Sequence, residues 1–170
     1  MKKVAVVFTL LLLASSLVAF GQEKRLSKKK VSLPILNHLK TNYPDASKLK
    51  FYKEKTGENT FIESEFWDKG KKYALKFLKD SLVEVEIFLE FKEIPTPIQK
   101  AILSTLDSSF THYKILESQE VNPATEQALY EIYVKSKKGK SKGYFELFFD
   151  KAGKLVHTIE IIAKPIPSQF

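Results

Sequence analysis

Hydrophobic and polar positions alternate along most of the chain, and two short stretches break that alternation with a helical spacing. Val31–Tyr43 places Ile35, Leu36, Leu39 and Tyr43 on one helix face before Pro44 ends it. Thr96 reads as an N-cap with Pro97 in the first turn, and Ile98, Ala101, Ile102, Thr105 and Leu106 form the second apolar stripe. Each helix is followed by four strand-like runs: 48–54, 60–67, 72–78 and 82–91, then 112–121, 129–135, 144–150 and 155–163. Asp68-Lys69-Gly70, Lys138-Gly139-Lys140 and Asp150-Lys151-Ala152-Gly153 supply turn residues between them.

The pattern occurs twice, over residues 31–92 and 93–163, with a basic linker at 22–30 and a tail at 164–170. Four short antiparallel strands cannot bury both faces, so a helix should cover one face of each sheet. The expected fold class is therefore α+β: two tandem α-β-β-β-β units, each an antiparallel sheet with a helix packed on one face. Whether the two sheets join is left open by the pattern.

Before residue 22 the chain carries the three parts of an export signal. Lys2 and Lys3 are the charged start, Val4–Leu13 the apolar run, and Ala19-Phe20-Gly21 the small-residue exit. The expected product begins at Gln22 and is periplasmic or secreted. The rival is an uncleaved inverted anchor, because Lys24, Arg25 and Lys28–Lys30 follow the apolar run. No other stretch is apolar enough to span a bilayer. With no cysteine, the chain has no disulfide, thiolate nucleophile or Cys-based zinc site. The net charge of +8 falls to about +6 once Lys2 and Lys3 are removed, a balance that favours acidic partners or simple solubility.

The run Val31-Ser32-Leu33-Pro34, Asn42-Tyr43-Pro44-Asp45-Ala46, Phe61–Trp67 and Asp68–Tyr73 resembles the PepSY-like, beta-lactamase-inhibitor-like proteins of bacterial envelopes. Ile94-Pro95, Tyr130–Val134 and Phe148–Leu155 repeat the resemblance in the second half. At Lys79-Asp80-Ser81 the chain departs from that family, which has a glycine in this turn. The resemblance implies a binding or inhibitory role through a sheet surface and supplies no catalytic residue.

Direct chemistry is sparse. His38, His112 and His157 show no short ligand spacing, so neither metal nor cofactor is expected. Glu63, Glu65, Glu84, Glu86 and Glu90 fall at alternate strand positions, where Lys72 and Lys76 can pair with them rather than serve as a catalytic acid pair. No nucleophile elbow, phosphate loop or dinucleotide fingerprint is present, and the expected protein is not an enzyme. Two surfaces remain as candidates. Lys69, Lys71 and Lys72, with Lys137, Lys138, Lys140 and Lys142, would make basic hairpins for an anionic envelope glycan or lipid, or merely solubilise the turns. Nucleic acid is not expected, because no aromatics are interleaved with these lysines. If Val83, Val85, Ile87 and Leu89 face the helix, Trp67, Phe88, Tyr133, Tyr144 and Phe148 turn to the open face, as a protein-binding surface or as residues covered by other parts of the chain.

Overall fold

The computed structural model describes residues 24–138 and 141–161; the expected signal at 1–21 and the tail at 164–170 lie outside them. The described strands are β1 Lys24–Leu26, β2 Ser47–Thr56, β3 Asn59–Asp68, β4 Lys71–Leu78, β5 Ser81–Leu89, β6 His112–Pro123, β7 Leu129–Lys138, β8 Ser141–Phe149 and β9 Leu155–Ile161. The described α-helices are α1 Leu33–Asn42 and α2 Thr96–Ser109. All nine strands form one antiparallel sheet in sequential order, β1 through β9.

This corrects the expected fold class. The protein is not two tandem α-β-β-β-β units with a sheet each, but a single, mostly β structure carrying two short helices. β5 and β6 pair from Glu84↔Pro123 to Leu89↔Ser118, so the supposed boundary is an ordinary ladder inside the sheet. Within the segment read as a linker, Lys24–Leu26 pairs with Phe51–Lys53 as an edge strand.

Both helices cover the same face. Ile35 and Leu39 of α1 pack on Phe51, Phe66, Leu75 and Phe77. Ile102 and Leu106 of α2 pack on Ile132, Val134, Phe145, Leu147 and Phe149. The cross-strand rows Phe51–Ser64–Leu75–Val85 and Leu89–Ser118–Ile132–Leu147 meet on β5, where Val85 and Leu89 are four residues apart and share a face. Leu82, not Val83, joins the α1 cluster, because the ladder slips between Lys76↔Glu84 and Phe77↔Leu82 and leaves Val83 as the extra residue.

Turn chemistry sets the registers. Lys69 (φ 48°) with Gly70 (φ 81°), and Lys79 (φ 47°) with Asp80 (φ 68°), are two-residue turns whose paired positive φ values match the strand twist. The glycine missing from the second turn is thus replaced by Asp80, whose Oδ1 accepts a 2.7 Å hydrogen bond from Ser32 Oγ. Gly153 has no such substitute: its φ is 82° and a Cβ there would lie 2.8 Å from the Ala101 Cβ on α2. Gly153→Ala is expected to lower Tm by roughly 6 °C, about 2 kcal/mol. Gly57→Ala, also at positive φ but with nothing within 4 Å of the new atom, should lose less than half of that in the same thermal scan.

Candidate functional site

Strand alternation puts every second residue on the face away from α1 and α2. Read across the ladders, one row of that face is Trp67, Lys72, Phe88, Gln119, Glu131, Phe148 and His157. A neighbouring row holds Glu117, Tyr133, Glu146 and Ile159, and beyond it stand Lys135, Tyr144 and Ile161. On the other side come Lys50, Glu65, Ala74, Glu86 and Val121, then Tyr52, Glu63, Lys76 and Glu84. Nine strands at about 4.8 Å give this face a width of roughly 38 Å. Among the described residues no helix lies on it.

All five aromatics singled out in the sequence are on this face, in three places. Trp67 is exposed beside Lys48, whose Nζ is 5.7 Å from the ring centroid. Phe88 is half-buried under Lys72, whose Nζ is 4.0 Å from its centroid. Together with Lys71, Glu90 and Leu116, Trp67 and Phe88 line an open cleft of about 750 Å³. Tyr133 and Tyr144 stack at 5.9 Å, and Phe148 lies 6.3 Å from His157. Leu116 reaches the cleft because a bulge between Ile115 and Glu117 leaves it exposed.

The lysines divide. Lys69 and Lys71 are exposed at the β3–β4 turn, and Lys137 is exposed near the β7–β8 turn at the same end of the sheet. Lys72, expected both among these basic tips and as a partner of the strand glutamates, lies on the open face with Nζ 3.1 Å from Glu65 Oε1. Lys138 and Lys142 lie in the strands flanking the second turn, and Lys140 lies outside the described residues.

Carboxylates are the feature sequence reasoning undercounted. Besides Glu54, Glu63, Glu65, Glu84 and Glu86, the open face carries Glu117, Glu131 and Glu146 on β6, β7 and β8. Their signal was present, since Glu131 and Glu146 share the alternation that sets Tyr133, Tyr144 and Phe148 outward. Glu90, just past β5, lies at the cleft and accepts the Lys92 ammonium in an exposed ion pair.

Crowding of these acids in a half-buried sheet changes their protonation. Burial, the Glu146 carboxylate and the more distant Glu84 push Glu131 up to about 8, against the Gln119 hydrogen bond and Lys76. Burial also raises Glu86 well above the carboxylate range; Lys76 opposes this and Glu63, Glu84 and Glu131 add to it. Glu117 and Glu146 are raised by burial too, relieved in part by Lys72 and Lys76 respectively. Lys76 is drawn down by burial, but Glu86, Glu84, Glu54 and Glu63 together outweigh this and hold it firmly charged. Its Nζ lies 3.3 Å from Glu84 and 3.8 Å from Glu54. Among the described residues no group of three His, Asp or Glu side chains is arranged to hold a metal ion.

No family profile and no curated protein matches the chain. Solved structures do. A BLIP-like protein from Bacteroides fragilis superposes with a TM-score of 0.60 at 18% identity, over 82% of this chain and 92% of the other. A DUF2874 family protein from Bacteroides ovatus gives 0.61 at 15% identity, over 75% and 86%. A Bacteroides eggerthii protein, provisionally described as periplasmic, gives 0.62 at 17% identity, over 77% and 89%. None of these three descriptions carries the PepSY name. At these identities the likeness is one of fold: the chain has the architecture of BLIP-like and DUF2874 proteins of Bacteroides.

Proposed function

We propose that this chain is an exported, non-catalytic protein that binds another envelope or secreted protein through the open face of its sheet. The observation that carries this reading is a nine-stranded face on which no described helix lies, bearing Trp67, Phe88, Tyr133, Tyr144 and Phe148. Aromatics bury much area for little side-chain entropy and dominate binding energetics. Similarity to a BLIP-like protein and to one described as periplasmic supports both the binding role and export, as does the signal-like sequence of residues 1–21. No described helix is long and apolar enough to cross a membrane. The PepSY-like resemblance of the sequence points the same way.

Single alanine replacements at the five aromatics test the reading. Each is expected to leave the fold intact, with Tm within about 5 °C, and at least two should cut capture of the crosslinked partner tenfold or more. Unfolding in every case, without selective loss of capture, would mean the residues serve the sheet and not a partner.

A second reading, an anionic glycan or lipid held by lysine hairpins, draws support from Lys69, Lys71 and Lys137 standing at one end of the sheet. Salt separates the two. Binding through exposed lysines should weaken steeply between 50 and 500 mM salt, whereas an aromatic interface should persist.

A further inference from the structure

The two halves of the open face neutralise their carboxylates differently. On β3–β5 the chain does so itself: the Lys72 ammonium is held between Glu65 at 3.1 Å and the Phe88 ring at 4.0 Å, and Lys76 serves Glu84. On β6–β8 the same ingredients recur with no described cation in ion-pair contact; Lys135 stands instead over the Tyr144 ring, its Nζ 5.9 Å from the centroid. Glu117 and Glu146 flank Tyr133 in one row, Glu131 stands beside Phe148 in the next, and Tyr144 stacks on Tyr133. Among the described residues no cationic side chain forms an ion pair with Glu117, Glu131 or Glu146.

A second feature marks the same spot. Gln119 is only 7% exposed; its amide NH₂ donates to Glu131 Oε2 at 2.8 Å, while its Oε1 has no hydrogen-bond donor. A buried acceptor without a donor costs about 1–3 kcal/mol, and it sits in the row between Phe88 and Glu131. The face carries Glu54, Glu63, Glu65, Glu84, Glu86, Glu117, Glu131 and Glu146 on β2–β8, and Arg25, Lys50, Lys72, Lys76, Lys114, Lys135 and Lys137 share it.

We propose that the carboxylate–aromatic cluster of Glu117, Glu131, Glu146, Tyr133 and Tyr144 is the socket for an arginine side chain projecting from a loop of the partner protein. This rests on the reading of the open face as the binding surface. Carboxylates on adjacent strands suit the planar fork of a guanidinium, which can bridge two of them and stack on a tyrosine ring. Lys72 between Glu65 and Phe88 is the intramolecular version of the same contact. Docking a cation draws protons off the cluster, so affinity rises with pH. The groups that face it are Glu63 and Glu65 on β3, Lys72 and Lys76 on β4, Glu84 and Glu86 on β5, Lys114 on β6, Lys135 and Lys137 on β7 and His157 on β9.

The probes are an acetyl-Gly-Arg-Gly-Arg-Gly-amide peptide, its citrulline counterpart and spermine, titrated into the ¹⁵N-labelled protein. The arginine peptide should shift the amides of Glu117, Gln119, Glu131, Tyr133 and Glu146, bind at least tenfold tighter than the citrulline peptide and than spermine, and tighten from pH 6 to pH 9. Glu131→Gln combined with Glu146→Gln should weaken it at least fivefold with an unchanged circular dichroism spectrum; should that pair fail to fold, Glu117→Gln must weaken it at least twofold. Equal affinity for the citrulline peptide or for spermine, no shifts at millimolar peptide, or full affinity in the variants would overturn the socket. The aromatic replacements would still judge the open face by themselves, so the two failures are distinguishable.

Discussion

Lys76→Met is expected to destabilise the protein by about 3–5 kcal/mol at pH 8 and by less than half of that at pH 5. The ammonium lies within 4 Å of Glu84 and Glu54, pairs directly across the ladder with Glu63, and is drawn on electrostatically by Glu86. Methionine keeps the length of the stem and removes the charge, taking away the ammonium that offsets the repulsion in this row of half-buried carboxylates. Those carboxylates can escape by taking up protons, which is why acid should rescue the variant. Urea unfolding at the two pH values measures the difference. An equal loss at both would mean that Lys76 contributes packing of its stem and little else.

The second large effect is in the wild-type protein: stability should fall between pH 5.5 and pH 8.5. Glu86, Glu117, Glu131 and Glu146 all have folded values raised above the ordinary 4.5. Between the unfolded and folded values the native state holds more protons than the unfolded chain, so unfolding free energy decreases as pH rises. The contribution is complete below about pH 4.5 and, for Glu131, is lost as pH passes about 8. At ~1.4 kcal/mol per pH unit the ceiling for Glu131 is about 5 kcal/mol, and water around a half-buried group reduces it to on the order of 2–3 kcal/mol. Glu131→Gln, which keeps the amide-sized side chain beside Gln119, should raise stability at pH 8.5 by about 2 kcal/mol and flatten the profile. A wild-type profile that climbs from pH 5.5 to 8.5 would contradict the assignment.

Alternation made the faces of most strands legible. It set Phe145, Leu147 and Phe149 inward and Tyr144 and Phe148 outward, because a period of two leaves no choice once one face is apolar. The joining of β5 to β6 was not legible: the residues it pairs, Leu89 with Ser118 and Phe88 with Gln119, are far apart in the chain and carry no turn signal between them. A repeat in sequence therefore suggested two sheets where backbone pairing makes one. The short edge strand Lys24-Arg25-Leu26 has no alternation to read. Bulges at Val83 and Leu116 shift register by one residue, a backbone event that side-chain pattern does not encode. Lys72 was read both with the turn lysines, by proximity in sequence, and as a strand partner of the glutamates; the second reading was legible from alternation, and its ammonium lies 3.1 Å from Glu65.

The face itself is tested most directly by placing a photoactivatable phenylalanine analogue, one at a time, at Trp67, Phe88 and Phe148 on the open side and at Leu33, an exposed position on the helix side. Irradiation of intact cells should yield one discrete protein adduct from at least two of the open-face positions and none from Leu33. Adducts from Leu33 alone, or no adduct from any of the three open-face positions, would contradict binding through the sheet.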